Sequence, residues 1–417
     1  MTMSKSYPWI VVGLLWMVAL LNYMDRQMLS TMKPSMEADI AELQTATNFG
    51  RLMAVFLWIY GFMSPVAGMI ADRFNRKWLI VGSLAVWSAV TFSMGYATTF
   101  DQLYYLRAIM GVSEALYIPA GLSLIADYHG SKTRSLAIGI HMTGLYMGQA
   151  LGGFGATIAD RFTWNTAFQY FGGIGIVYAL VLIFFLKEKK QAPDQLMIND
   201  VKEAPQKPSL FKGIGLLMTN ISFWIILFYF AIPSLPGWGV KNWLPTLFAN
   251  NLGIEMSKAG PLSTITIAAS SFLGVIFGGI LSDRWVQKNI RGRIYTSAIG
   301  IGLTIPALLL IGTGHSLLHV IGAAFCFGFG FGMFDANNMP ILCQFVSSRY
   351  RATAYGLMNM VGVFAGAFIT DLLGKSTDAG HLGRDFGILA GIVAVALIIQ
   401  VFFLRPKTID FDDKMVR

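Results

Sequence analysis

A chain of 417 residues that is 55% hydrophobic and 13% charged, with a mean hydropathy of +0.59, has too little polar surface for a water-soluble domain. Its formal charge of +9 is spread over short breaks between apolar stretches, which suits membrane topology and an anionic leaflet rather than nucleic acid. Cys326 and Cys343 fall about 25 Å apart on one predicted helix, so no disulfide framework or zinc site is expected. There is no G-x-x-x-x-G-K-S/T loop for ATP and no nucleophile–base pair or metal cluster for an enzyme.

Twelve apolar stretches are each long enough to cross a hydrocarbon core of about 30 Å as a helix. They run over 8–31, 50–72, 77–97, 102–127, 135–158, 164–187, 218–248, 259–283, 293–314, 316–343, 352–374 and 384–404. The first follows Lys5 and meets Asn22-Tyr23 without a small-residue cleavage site, so it is expected to be a retained helix with a cytoplasmic N-terminus. With that start, the N-terminus, the loops after even-numbered spans and the tail hold 22 of the 31 Lys and Arg residues. The expected orientation therefore puts both termini in the cytoplasm. The longest polar break suggests three parts: a six-helix bundle over 1–187, a cytoplasmic linker over 188–217, and a second bundle with a short tail over 218–417.

Two motifs recur between the halves. Gly68-Met69-Ile70-Ala71-Asp72-Arg73 is matched by Gly279-Ile280-Leu281-Ser282-Asp283-Arg284, and Arg134-x-x-Ala137-x-Gly139 by Arg351-x-x-Ala354-x-Gly356. Duplicated six-helix units point to an all-α integral membrane protein built as two pseudo-symmetric bundles, the architecture of secondary transporters with a substrate site between the halves. The run Gly68 to Lys77, G-x-x-x-D-R-x-x-R-K, resembles the signature between helices two and three of the major facilitator superfamily. That resemblance implies a cytoplasmic gate made by Asp72, Arg73, Arg76 and Arg134, with Asp283 and Arg284 as a weaker copy.

Inside the first half, Asn22-Tyr23-Met24-Asp25-Arg26 places an acid and a base within a spanning helix, and helix four adds Arg107 and Glu114 seven residues apart on one face. A charge at that depth costs roughly 2.5–3.5 kcal/mol on insertion scales, and such residues mark ion or substrate pathways. One acid and one base suffice to join two helices. The second acid suits a proton carrier, with Asp25 and Glu114 as coupling groups and Glu114 foremost. This charge pattern resembles the anion:cation symporter branch, which includes bacterial sugar-acid transporters and is related to sialin and the vesicular glutamate transporters. The resemblance implies proton-coupled transport of a small organic anion, with Arg26 or Arg107 meeting its carboxylate through a planar guanidinium fork.

Further candidates for the cavity are Tyr23, Tyr60, His141, Tyr146, Gln149, Asn337 and Asn338. His141 is a lone intramembrane histidine, Tyr146 and Gln149 are three apart so that one is expected to point elsewhere, and Asn337 and Asn338 are expected to bind hydroxyls. Asp335 is read as a cap or a partner near the gate, and Lys241 is counted on the outer side. Helix seven lacks the arginine of the vesicular glutamate group, which argues against glutamate. The expectation is a monomeric importer of a sugar acid in a bacterial inner membrane. Its partners are the anion and the bilayer, its coupling ion is a proton with sodium as the alternative, and no cofactor or metal is expected. A Spinster-like lysolipid or multidrug exporter is the competing reading.

Overall fold

The computed structural model describes residues 6–129, 133–188, 214–215, 217–347 and 350–409, with the side chains of Asp72, Arg73, Ser135 and Ala352 left out. Twelve long helices carry the described chain: α1 (Tyr7–Leu29), α2 (Ala46–Arg73), α3 (Arg76–Met94), α4 (Phe100–Tyr128), α5 (Arg134–Gly152), α6 (Trp164–Phe185), α7 (Ile221–Leu252), α8 (Met256–Val286), α9 (Gly292–Thr313), α10 (Leu317–Cys343), α11 (Arg351–Asp378) and α12 (Leu382–Phe403). They form two six-helix bundles. Eleven are long and apolar enough to cross a membrane; α5, at 19 residues and richer in glycine and polar groups, is the twelfth. The expected linker over 188–217 lies almost wholly outside the described residues.

Local sequence sets most of the helix ends. Thr45, Asn75, Thr99, Thr163, Asn220 and Ser316 accept hydrogen bonds from the first turns of α2, α3, α4, α6, α7 and α10. Gly253 ends α7 at φ 62°, a left-handed conformation in which glycine carries no steric penalty. α5 stops at Gly152, short of the expected residue 158, because the chain turns at Gly153-Phe154 before a separate short helix, Gly155–Arg161. α4 is interrupted at Leu116, between segments Phe100–Ala115 and Tyr117–Tyr128. Pro119 explains the break: it has no N–H to give, and its ring crowds the carbonyl of Ala115 four residues back.

Within the first bundle α5 lies along α1 on three glycines spaced by four. A Cβ at Gly144, Gly148 or Gly152 would come within 2.6 Å of Trp16 O, 2.2 Å of Leu20 O and 2.6 Å of Gln27 Cβ. Small residues at this spacing let membrane helices approach to backbone contact. The second bundle uses the same device where α10 wedges between α8 and α9. A Cβ at Gly330 would sit 2.4 Å from Gly300 O, and one at Gly332 2.2 Å from Ser271 O.

The internal repeat is visible atom by atom. Arg134 Nε donates to the carbonyl five residues back, His129 O (3.2 Å), and Nη2 to the one eight back, Ala126 O (3.3 Å). Arg351 makes the same two bonds to Val346 O (3.0 Å) and Cys343 O (3.3 Å). Each arginine thus satisfies carbonyls at the C-terminal end of the preceding helix, where a positive charge is also favoured by the dipole.

The bundles meet tightly at one end only. Ala46 N and Thr47 N, at the start of α2, donate to the two carboxylate oxygens of Asp378 at the end of α11 (2.7 and 2.8 Å), and Thr47 Oγ1 adds a third bond at 2.5 Å. Thr264 Oγ1 of α8 donates to Ala150 O of α5 (3.1 Å), and Thr157 Oγ1 to Ser257 O (2.9 Å). Among the described residues, the hydrogen bonds and ion pairs that join the bundles all lie toward this end or at mid-depth. At the other end, which carries both termini, the Cβ positions of Gly68, Gly139, Gly279 and Gly356 meet open space.

Candidate functional site

The apolar helices leave few polar groups at mid-depth, and the fold gathers most of them around Arg26. Its Nε donates to Glu114 Oε2 at 2.6 Å, joining α1 to α4 just before the break at Leu116. Glu114 is fully sealed (0% exposed), and its other oxygen, Oε1, has no donor. Asn22, also fully buried, adjoins Glu114 with its amide out of hydrogen-bonding position. Arg26 remains partly accessible. Its guanidinium carbon lies 5.1 Å from the Tyr23 ring, 4.8 Å from Phe56 and 4.7 Å from Tyr60, distances at which ring faces attract a cation.

Arg107 shares the Phe56 ring with Arg26. Its guanidinium lies 4.6 Å from that ring, so one aromatic side chain attracts two like charges. Arg107 is buried, its Nη1 rests 3.2 Å from Met110 Sδ, and its Nε has no partner. Asp25 turns toward α3, where Thr91 Oγ1 donates to its carboxylate at 3.2 Å. The four intramembrane charges therefore do not form two matched pairs: Glu114 takes Arg26, while Asp25 and Arg107 have only neutral partners in contact.

The remaining first-half candidates separate into two groups. Tyr146 meets Phe272 of α8 edge-on at 6.1 Å, and Gln149 lines a small space between the bundles with Gln27, Lys241, Ser263 and Thr264. Contrary to expectation, both face the second half. Three residues turn a helix through about 300°, which leaves them only about 60° apart. His141 is fully buried beside Tyr117, at a ring distance of 6.0 Å, on the stripe that packs against α1. It presents no surface to the opening.

In the second half Asn337 donates to Met333 O one turn back (2.8 Å), a contact inside its own helix. Asn338 donates to Asp335 Oδ1 at 3.2 Å and accepts from Tyr229 OH at 3.2 Å, and it is itself buried. Both asparagines are thus committed inside the protein. Asp335, by contrast, is exposed, and it stands inside α10, eight residues before the helix ends, rather than at a gate. Charges and hydroxyls within its electrostatic reach come from both halves: Lys241 of α7, Tyr23 of α1, Tyr146 of α5 and Tyr355 of α11. Lys241 likewise lies inside α7, eleven residues before its last residue, and not at the outer surface where its sequence position suggests. Sequence reading missed both because each is a lone charge without a neighbouring partner. A usable signal is Lys241 itself, a lone charge inside the apolar stretch 218–248.

The expected gate residues are dispersed. The side chains of Asp72 and Arg73 lie outside the described residues. Arg76 pairs with Asp127 of α4, while its backbone N–H and that of Lys77 donate to Glu188 (3.3 and 2.8 Å), all within the first half. Arg134 holds the end of α4 as described, and Asp283 and Arg284 are exposed.

Known proteins place this arrangement in context. The family described as Major Facilitator Superfamily matches residues 15–370. A hexuronate transporter of Bacillus subtilis (strain 168) is 24% identical over 95% of this chain and 94% of its own length. A D-galactonate transporter of Escherichia coli O6:H1 is 24% identical over 94% and 93%. Among solved structures, a bacterial homolog of the human lysosomal transporter Spinster, in an inward-facing and unoccupied conformation, superposes with a TM-score of 0.79 at 20% identity, covering 95% of this chain and 97% of that one.

Proposed function

Since the chain belongs to the major facilitator superfamily and is a transporter rather than an enzyme, we propose that it is a proton-coupled symporter of a sugar acid, a small hydroxylated carboxylate such as a hexonate or hexuronate. The observation that carries this reading is the Arg26–Glu114 contact at 2.6 Å, with Arg26 partly on the opening and Glu114 sealed behind it. The sugar-acid relatives supply the substrate class.

The chemistry is a competition for one guanidinium. While Glu114 is ionised it occupies Arg26 through a charge-assisted bond. A proton reaching Glu114 removes that charge, frees Arg26, and lets the substrate carboxylate take its place. When the substrate leaves, Arg26 draws Glu114 back into an ion pair and the proton is expelled. A neutral Glu114 without substrate leaves Arg26 as an unpaired buried charge, and an ionised Glu114 beside a bound carboxylate puts two anions on one guanidinium; both states are disfavoured, so substrate and proton travel together. Asp25, held by Thr91 and within electrostatic reach of Glu114, is the second coupling acid. Burial keeps Arg107 from competing for the same anion and leaves it to hold the local field positive.

The distribution of Lys and Arg argues that the open end, with both termini and the 188–217 connection, faces the cytoplasm of a bacterial plasma membrane. The structure is then inward-open, and Asp72, Arg73, Arg76, Arg134, Asp283 and Arg284 sit where the closing gate would form. The decisive experiment is uptake of labelled D-galactonate and D-glucuronate into proteoliposomes with an imposed inward proton gradient. Wild type is expected to accumulate one of them, and Glu114→Gln to lose accumulation while retaining substrate exchange. No uptake of any sugar acid, or sodium-driven uptake indifferent to the proton gradient, overturns the reading.

A further inference from the structure

Asp335 is exposed although α10 is wedged between α8 and α9. A carboxylate at such depth faces water in the opening between the bundles, because exposure to lipid is prohibitively costly. Its placement is built by a buried chain of hydrogen bonds. Ser297 Oγ of α9 lies 2.7 Å from Tyr229 OH of α7, Tyr229 OH donates to Asn338 Oδ1, and Asn338 Nδ2 donates to Asp335 Oδ1. Among the described residues Oδ2 has no protein partner.

Lys241 faces the same opening from α7. Its backbone carbonyl is held by Gln27 Nε2 of α1 at 2.9 Å, and its ammonium lies 5.0 Å from the Trp238 ring and 6.0 Å from the Phe331 ring. Among the described residues the ammonium makes no hydrogen bond or ion pair. Phe331 stands one turn before Asp335 on α10, so its contact with the ammonium brings Lys241 near Asp335, and among the described residues no hydrogen bond or ion pair joins the two.

That gap selects a chemistry. A group that bridges it must donate to a carboxylate and accept from an ammonium at once. A carboxylate cannot donate and is repelled by Asp335; an ammonium cannot accept and is repelled by Lys241. A hydroxyl does both. We propose that Asp335 and Lys241 form a hydroxyl-selective subsite in the second half, which reads the polyol end of a substrate whose carboxylate is held by Arg26 in the first. The inference rests on the sugar-acid reading and deepens it. It also gives one ligand contacts to both bundles, and Trp238 and Phe331 supply apolar faces for the substrate's C–H groups.

The test is calorimetric binding of D-galactonate, D-gluconate and their monodeoxy analogues to the purified full-length protein, as wild type, Asp335→Asn and Lys241→Gln. In wild type, removing the hydroxyl that bridges the pair is expected to weaken binding about 10-fold or more, the worth of a hydrogen bond to a charged group. In either variant that penalty is expected to shrink below about 3-fold, while the penalty for converting the substrate carboxylate to a carboxamide persists in full. Should one variant fail to remain monodisperse, the other reads the same cycle. Deoxy penalties unchanged in a monodisperse variant overturn the subsite alone. A wild type that binds no hexonate and takes up no labelled hexuronate overturns the sugar-acid reading and the subsite with it.

Discussion

The two bundles handle buried charge in opposite ways. In the first, Arg26 and Glu114 touch at 2.6 Å and the carboxylate is sealed from solvent; in the second, Lys241 and Asp335 stay apart and Asp335 is exposed. A sealed pair is bistable, because removing either partner strands the other in a medium that cannot solvate it. An open pair is a polar wall that water or a ligand can complete. On the proposed reading the contrast sets proton coupling and carboxylate binding in the first half against hydroxyl reading in the second, and it can be broken by mutation.

The largest effect is expected from Arg26→Ala, which leaves Glu114 buried without its cation. Truncating one partner of a buried pair costs about 3–5 kcal/mol, read as a marked drop in the thermal midpoint of the purified protein, and adding Glu114→Gln is expected to recover most of it. A drop that the second change leaves untouched would show that the pair is not a closed unit. Next comes Gly153→Val at the closed end. A Cβ there would lie 1.9 Å from Thr264 Oγ1 and 2.9 Å from Gly260 O, so the bundles must separate at this end, measurable as a lengthened spin-label distance between positions 160 and 258.

A smaller shift is expected from Asp378→Asn. It removes the charge from a carboxylate that accepts from Ala46 N, Thr47 N and Thr47 Oγ1, a loss of about 1 kcal/mol or more, or several-fold in the balance between closed and open outer ends. The same spin-label pair reads it. The smallest effect on stability is expected from Asp335→Asn, within about 1 kcal/mol because the group is solvated in the opening. A thermal loss as large as that of Arg26→Ala would erase the distinction between the halves.

Much of this was legible in the chain. Span positions followed from apolar length alone, and the repeat followed from Arg134 and Arg351, whose identical bonds to carbonyls five and eight residues back are local geometry. The packed position of His141 is legible too: it shares a helical stripe with Gly144, Gly148 and Gly152, a packing face by its spacing. The partner of Glu114 was not legible. Arg107 on the same helix face and Arg26 on another helix are equal candidates by sequence, and the choice depends on how closely α1 approaches α4. Asn337 and Asn338 were credited with substrate contact for the same reason, since sequence shows a polar group but not which way it is already committed.

The sequence alone determined that this is a twelve-helix membrane protein of two related bundles with ionisable groups at depth, because hydropathy, spacing and repetition are properties of one dimension. Only the tertiary structure decided which charges pair, which are sealed, and that Asp335 and Lys241 come within each other's electrostatic reach in the second half. Those outcomes depend on distances between helices that are far apart in the chain, set by glycine stripes and shared aromatic rings such as Phe56, and a charge changes its role entirely with a few ångströms of separation and the presence or absence of water.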